Sequence, residues 1–284
     1  MREIIWRIDD TATSREDEPV DAASAREHLE AGNQAFAELL DESGLDTRTM
    51  SLTPADLGIG ENGVPPTQRP FATLLSCADA RVPVELLLNQ RANDLFVVRV
   101  AGGVLSEAAL GSLDFAVDNL KTMRLIAVLG HTGCGAVSAA VDTYLDPAAY
   151  LDLTDSRPLL ALVQNLLGSV RAADHALHQV YGTAVVSRPG YRKALNDLGV
   201  VASAASSSSA VATRITQRRH ADEPAVGSVF GVYDLLSRTI GVPGTASGWV
   251  PGLVDAPKDG PSLMRMLEEM AFGPFLTETL DASA

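Results

Sequence analysis

The stretch Leu125-Ile-Ala-Val-Leu129-Gly130-His131-Thr-Gly-Cys134-Gly135 decides the fold. Its first five residues are apolar without alternation, which marks a short strand covered on both faces. Three glycines then fall within six residues. They turn the chain sharply from strand into helix and let its backbone come close to whatever the side chains hold. The closing segment carries a histidine and a cysteine, two side chains with metal-binding chemistry.

Similar apolar runs lie on either side. Phe71-Ala-Thr-Leu-Leu-Ser76 and Leu95-Phe-Val-Val-Arg-Val100 precede the central stretch, and residues 226–233 follow it. Between the second and third runs, Ser106 is placed to cap a helix with Leu110, Leu113, Val117 and Leu120 on one face. Strands alternating with helices predict an α/β fold with a mostly parallel central sheet of four to five strands, flanked by helices. Residues 145–222 read as mostly helical, with Pro158 and Pro189 as starts. Within them Ser206 to Ser209, flanked by alanine and valine, read as a small-residue packing face.

Helical extensions are expected at both ends. Residues 21–42 carry Leu29, Phe36 and Leu40 at helical spacing, with Ser24 and Glu27 as a capping box. Residues 43–70, rich in Gly, Pro, Asn and Thr, read as a long connection, and residues 241–261, dense in Gly and Pro, read as a loop. Ser262 then caps a last helix with Leu263, Met266, Leu267 and Met270 along one side, a stripe expected to pack within the subunit or against a neighbour. The organisation expected is one domain over residues 1–284. It comprises an acidic N-terminal arm and helix (1–62), an α/β core (63–242), and a loop with a C-terminal helix (243–284).

The net charge is −14, from 36 acidic and 22 basic residues. Phosphate backbones need a basic surface, so nucleic acid is not an expected partner. Residues 1–62 hold 15 of the acids and only 5 arginines. That bias predicts a solvated, partly mobile arm, with docking of a partner subunit as the sharper alternative. No run of about 18 apolar residues is free of charge, and the first residues have no signal-like apolar core. The expectation is a cytoplasmic protein with no membrane partner.

Only two cysteines occur, Cys77 and Cys134, 57 positions apart. A chain this long needs no disulfide, and a redox pair would favour the C-x-x-C spacing that is absent. Burial as small apolar side chains is the ordinary fate of cysteine. Yet Cys77, His131 and Cys134 all stand just past the carboxyl ends of expected strands, where an open parallel sheet builds its sites. Two thiolates and an imidazole suit tetrahedral zinc, and three protein ligands leave a fourth position for water or substrate. Asp79 and Arg81 follow Cys77 at spacings of two and four. A guanidinium grips a carboxylate with two parallel bonds, which would hold Asp79 ionised and fixed beside the metal.

Cys77-Ala-Asp79-Ala-Arg81, followed about 50 residues later by His131-Thr-Gly-Cys134-Gly135, resembles the beta-class carbonic anhydrases. The stretches Leu29-Glu-Ala-Gly-Asn33-Gln-Ala-Phe36, Leu95-Phe96-Val-Val-Arg99-Val-Ala101-Gly102, Gly111-Ser-Leu-Asp-Phe115-Ala-Val117 and Val229-Phe-Gly-Val-Tyr233-Asp234 are similar to other parts of that family. The resemblance implies one zinc per chain on Cys77, His131 and Cys134, with Asp79 and Arg81 as the catalytic dyad. It implies reversible hydration of carbon dioxide to bicarbonate by a zinc-bound hydroxide that Asp79 orients. It assigns Gln68 and the N–H of Gly135 to substrate, and Phe96, Ala101 and Phe115 to an apolar pocket shared across a homodimer or larger even oligomer. Departures occur at Phe115, where Tyr is frequent, at Gly103, where Asn is usual, and at Ala80, where Ser is common. Leu74 stands where the bicarbonate-regulated branch carries Trp, which implies the unregulated branch, in which Asp79 leaves the zinc open to water. Two other activities fit the same residues: hydrolysis of carbonyl sulfide or carbon disulfide, and a non-catalytic zinc-containing assembly role.

Overall fold

A computed structural model describes residues 3–9, 18–40, 47–60, 64–220 and 222–282. The first described element is β1 (Glu3–Ile8), followed by α1 (Ala22–Leu40) and β2 (Thr47–Leu52). β1 and β2 pair in parallel over six residues each. Parallel strands need a crossover, and α1 supplies it. In its described residues the expected arm holds two paired strands, with β1 mostly exposed, while the helix between them packs on the main sheet. The rest of that arm, residues 1–2, 10–17, 41–46 and 61–62, lies outside the described residues. The long connection expected over 43–70 contains β2 and a short 3-10 turn (Pro54–Leu57) capped by Thr53. The signal for β2 is alternation: Met50 and Leu52 are buried, while Thr49 and Ser51 face solvent.

The cap of α1 lies three residues before the expected one. The Ser24 N–H donates to Asp21 Oδ1 at 2.8 Å and the Asp21 N–H to Ser24 Oγ at 3.1 Å. Asp21 is thus the cap, and Ser24 is its reciprocal partner inside the helix. Leu29 and Phe36 are buried as expected, and the Leu40 side chain lies outside the described residues.

The main sheet contains β3 (Ala72–Ser76), β4 (Leu95–Arg99), β5 (Leu125–His131) and β6 (Gly227–Tyr233), all parallel. The short α2 (Val84–Leu87) joins β3 to β4, and α3 (Glu107–Asn119) joins β4 to β5. Ser106 caps α3, its Oγ accepting from the Ala109 N–H. After β5 come α4 (Gly135–Leu145), α5 (Pro147–Asp152), α6 (Arg157–Tyr181) and α7 (Tyr191–Arg218). Pro158 lies in the first turn of α6, while Pro189 precedes α7 by two residues.

Beyond β6 the sheet gains β7 (Ile240–Pro243), β8 (Trp249–Pro251) and β9 (Val254–Asp255), all antiparallel. The order is β4-β3-β5-β6-β7-β8, with β9 also on β6. The sheet therefore has seven strands rather than four to five, and the loop expected over 241–261 contains three short strands that extend it. Strands of two to four residues broken by Gly and Pro carry too little pattern to read from sequence.

Alternating residues of the parallel strands feed two cores. Ala72, Leu74, Leu125, Ala127 and Leu129 pack with Leu29 and Phe36 of α1 and with Val84 and Leu87 of α2. Leu75, Ile126, Val128, Phe230 and Val232 pack on the other face, beneath α3, α4, α6 and α7. The serine-rich stretch of α7 does face other elements: Ser207 and Ser208 are buried, and the Ser228 hydroxyl donates to the Ser208 carbonyl at 2.8 Å.

Two helices close the described chain, α8 (Gly260–Phe272) and α9 (Pro274–Asp281). α8 repeats the shift seen at α1. Asp259 is the cap and Ser262 its box partner, not the cap itself. Leu267 and Met270 are buried, so the stripe packs within this chain. Among the described residues no helix is long and apolar enough to cross a membrane.

Candidate metal centre

Strand order places the three expected ligands together. β3 lies between β4 and β5, so the order reverses at β3, and a crevice opens outside the carboxyl ends there. Cys77 follows β3, His131 ends β5, and Cys134 caps α4. One ligand atom from each residue lies within 4.8 Å of the others, and all three residues are buried.

The histidine is oriented for a metal. Its Nδ1 lies 3.0 Å from the Thr132 carbonyl, which as a pure acceptor calls for a proton on Nδ1. Nε2 then presents its lone pair, and it is buried with no hydrogen-bond partner. An orphaned buried nitrogen between two sulfurs fits a zinc ion, since leaving it unsatisfied would cost about 1–3 kcal/mol.

The sulfurs tell the same story from their charges. The Cys77 thiol is pushed down to about 4, chiefly by a hydrogen bond from Cys134 and against the effect of burial. The Gly102 N–H also donates to Cys77 Sγ, at 3.3 Å. Cys134 moves upward, because it donates to Cys77 and is buried. Two thiolates at this spacing repel, so without a cation the pair keeps one proton. A zinc ion would hold both as thiolates.

Asp79 and Arg81 form the expected fork. Arg81 Nε donates to Asp79 Oδ1 at 3.0 Å and Nη2 to Oδ2 at 2.7 Å, while the Arg81 backbone N–H adds a bond to Oδ1 at 2.9 Å. These bonds, Arg81's side chain first, hold the Asp79 carboxyl well below the usual carboxylate range. Asp79 Oδ2 is 3.8 Å from His131 Nε2, so the carboxylate faces the ligand cluster.

The other expected residues are less gathered. Gly135 is the first residue of α4, and Phe96 stacks on Phe115 with ring centroids 6.1 Å apart. Phe115 is 46% exposed and Ala101 is also exposed, which leaves an apolar patch open on this chain. Gln68 is exposed and is not among the residues lining the small cavity at the cluster. His178 is satisfied by Asp174, at 3.0 Å from its carbonyl and 3.1 Å from its carboxylate, and His175 is exposed. Neither belongs to the cluster.

Several supporting residues escaped the sequence reading. Arg99 of β4 reaches over to the carbonyls of Cys77 and Asp79. Thr132 Oγ1 donates to Asp234 Oδ1 at 3.0 Å and accepts from the Leu235 N–H, which pins the turn after β5 to the end of β6. Val200, Ser203 and Ala204 of α7 close the cavity behind the sulfurs. A signal existed for Arg99, a charged residue ending an apolar strand, but none for α7, whose approach depends on packing.

Comparison with known proteins agrees with this geometry. The sequence profile of the carbonic anhydrase family matches residues 72–218, just over half of the chain. Carbonic anhydrase 2 of Mycobacterium tuberculosis is 45% identical over 92 residues, covering 31% of this chain and 44% of the relative. A carbon disulfide hydrolase of Saccharolobus solfataricus is 31% identical over 102 residues, covering 34% of this chain and 48% of the relative. This chain therefore spans less than half the length of these curated relatives. A solved Coccomyxa beta-carbonic anhydrase, in complex with acetazolamide, aligns at 20% identity with a TM-score of 0.47, over 75% of this chain and 86% of that one. The matched stretch runs from β3 through α7 and so contains every ligand of the candidate metal centre, and on that match the chain belongs to the beta-class carbonic anhydrase family.

Proposed function

We propose that this protein catalyses the reversible hydration of carbon dioxide to bicarbonate, with one zinc ion held by Cys77, His131 and Cys134. The observation that carries the reading is Asp79: a carboxylate fixed by Arg81 and aimed at the ligand cluster from 3.8 Å. A purely structural metal has no use for such a group. Zinc, when bound, supplies Lewis acidity and makes a water nucleophilic near neutral pH, as in the carbonic anhydrase that is the standard example of that effect.

The chain's own residues then do the following. Asp79 stays ionised and accepts the hydrogen of the oxygen nucleophile, which turns a lone pair toward the carbon of the substrate. Arg81 holds Asp79 in that orientation and keeps it from taking the proton outright. Gly135 opens α4, so its N–H is one of those a helix leaves without an internal partner, and it is assigned to a substrate oxygen. Gln68 is assigned the same task on the resemblance alone. Phe96, Ala101 and Phe115 offer apolar surface to an uncharged substrate. The exposure of Ala101 and Phe115 supports self-association as a homodimer or larger even oligomer, which would cover them.

A second reading keeps the site and changes the substrate. The match to a carbon disulfide hydrolase supports carbon disulfide or carbonyl sulfide, both linear and uncharged like carbon dioxide. Stopped-flow hydration of carbon dioxide, with metal analysis and both sulfur substrates on the same sample, separates the readings. Protein with about one zinc per chain and no carbon dioxide hydration over a wide pH range would sink the proposal. If the sulfur substrates were also inert and no water exchanged at the metal, a non-catalytic assembly role would take its place.

A further inference from the structure

Two arginines hold the loop that carries Cys77 and Asp79, and they do different work. Arg81 grips the Asp79 carboxylate but sits on the same loop, two residues away. It fixes Asp79 relative to itself and cannot fix the pair relative to the rest of the site. Arg99 comes from the neighbouring strand β4. Its Nε donates to the Cys77 carbonyl at 3.0 Å and its Nη2 to the Asp79 carbonyl at 2.5 Å.

The Asp79 carbonyl also accepts from the Val82 N–H at 3.0 Å, so that oxygen joins the loop's internal turn to the outside brace. Two weaker ties reach the loop from the same side. The Ala78 N–H donates to the Val100 carbonyl at 3.2 Å, and the Gly102 N–H to Cys77 Sγ at 3.3 Å. Arg99 supplies the two charge-assisted bonds of the set, each stronger than a neutral one. Among the described residues it has no carboxylate partner. A guanidinium left to backbone carbonyls alone, on either side of Ala78, is a fork matched to this loop.

We propose that Arg99 is a positioning residue, which holds the peptide planes of Cys77 and Asp79 so that the Asp79 carboxylate keeps its aim at the metal position. This rests on the proposed function only for the identity of the reaction. The loop's placement can be read from the ligands themselves.

The test uses Arg99→Ala and Arg99→Lys with the full chain, loaded with zinc for turnover and with cobalt for spectroscopy. Arg99→Ala is expected to keep about one metal per chain and to lose about 100-fold in kcat, the scale of a small misplacement, with KM nearly unchanged. Lysine can reach one carbonyl but not both, so Arg99→Lys should fall between. Methylguanidine added to Arg99→Ala should restore part of kcat, and should do nothing for Asp79→Ala. The cobalt–thiolate absorption should shift in Arg99→Ala and return with methylguanidine, since Cys77 moves with the loop. Wild-type kcat in Arg99→Ala, or a fall in kcat matched by equal loss of metal, would overturn the assignment. If Arg99→Ala does not fold, the lysine variant's kcat and cobalt spectrum decide alone, and wild-type values of both refute it. Should the wild type prove inert toward carbon dioxide, the proposed function fails, while a cobalt spectrum that answers to Arg99 and methylguanidine still upholds the brace.

Discussion

The site is made of two loops that are held in opposite ways. The loop after β3, residues 77–81, is partly exposed and is fixed by charge: Asp79 in the fork of Arg81, and the guanidinium of Arg99 on the backbone. The turn at the end of β5, residues 130–135, runs from the last two residues of that strand into the first of α4; it has no Asp, Glu, Lys or Arg of its own and is fixed by packing and by the Thr132 hydroxyl on Asp234. Gly130 lies against Val200 of α7, and Thr132 is tied to the end of β6. Charged bonds set the direction of a side chain, while packing sets a position and excludes water. The first loop can therefore carry chemistry, and the second is a wall that presents ligands.

The contrast should break most completely when zinc is withheld, because a bound zinc would draw its ligands from both loops. Chelation should abolish turnover and leave one thiolate per chain rather than two. Cys77, lowered to about 4, stays ionised at pH 7, while Cys134, raised by donating to it, keeps a proton. Thiolate absorbance of the metal-free protein at pH 7 should thus correspond to one sulfur rather than two. Two thiolates at pH 7 would mean the sulfurs do not share a proton.

Asp79→Ala attacks the charged loop alone. It should retain zinc and lose about 100- to 1000-fold in kcat, the cost of removing one preorganised group at the reacting centre. Asp79 ionises well below an ordinary carboxylate, so its link to Arg81 stabilises the fold above the unfolded carboxylate pKa and is lost only as pH falls below it. The acid side of a rate profile should accordingly show no loss from Asp79 down to about pH 4. Equal rates in the variant and the wild type would remove Asp79 from the mechanism.

The packed loop should respond in stability rather than direction. A Cβ at Gly130 would lie 2.7 Å from Val200 Cγ1 and 3.4 Å from the Val200 carbonyl oxygen. Gly130→Ala should cost about 1–3 kcal/mol in denaturant unfolding, with metal affinity falling as the wall is pushed out. Thr132→Val removes one bond to the Asp234 carboxylate and one from the Leu235 N–H but leaves the fill, so about 2–3 kcal/mol is expected, with a kcat change far below that of Asp79→Ala. A Thr132→Val enzyme as slow as Asp79→Ala would erase the distinction between the loops.

The same division decides what the sequence could show. β3, β4, β5 and β6 are apolar runs, so the α/β sheet and the three ligand positions were legible. Asp79 and Arg81 were legible because they interact within one turn, where spacing equals geometry. Arg99, Asp234 and α7 act across 20 to about 130 positions, and only the folded sheet brings them in. The N-terminal β1 and β2 were hidden by acidic residues around them, and β7 to β9 by Gly and Pro. At both α1 and α8 a serine offers the visible capping pattern, yet an Asp three residues earlier is the cap and the serine answers it from inside the helix.

The smallest expected effect sharpens the comparison where the loops meet β4. Gly102 and Gly103 both take left-handed backbone, at φ 71° and 62°. A Cβ at Gly102 would meet Ala136 Cβ at 3.0 Å and Leu166 Cδ1 at 3.1 Å, from α4 and α6. At Gly103 the nearest atoms, the backbone of Ser76 and Cys77, are 3.7–3.9 Å away, an ordinary contact. Asn is among the residues that adopt left-handed backbone with least cost. Gly103→Asn, which supplies the residue usual in the family, should therefore change stability by no more than about 0.5 kcal/mol, and it should leave kcat and zinc content alone. Gly102→Ala adds crowding to the left-handed strain and should cost about 2–4 kcal/mol. If Gly103→Asn were as damaging as Gly102→Ala, the turn after β4 would belong to the packed wall throughout. A neutral Gly103→Asn would put the boundary between the two modes of support between these adjacent glycines.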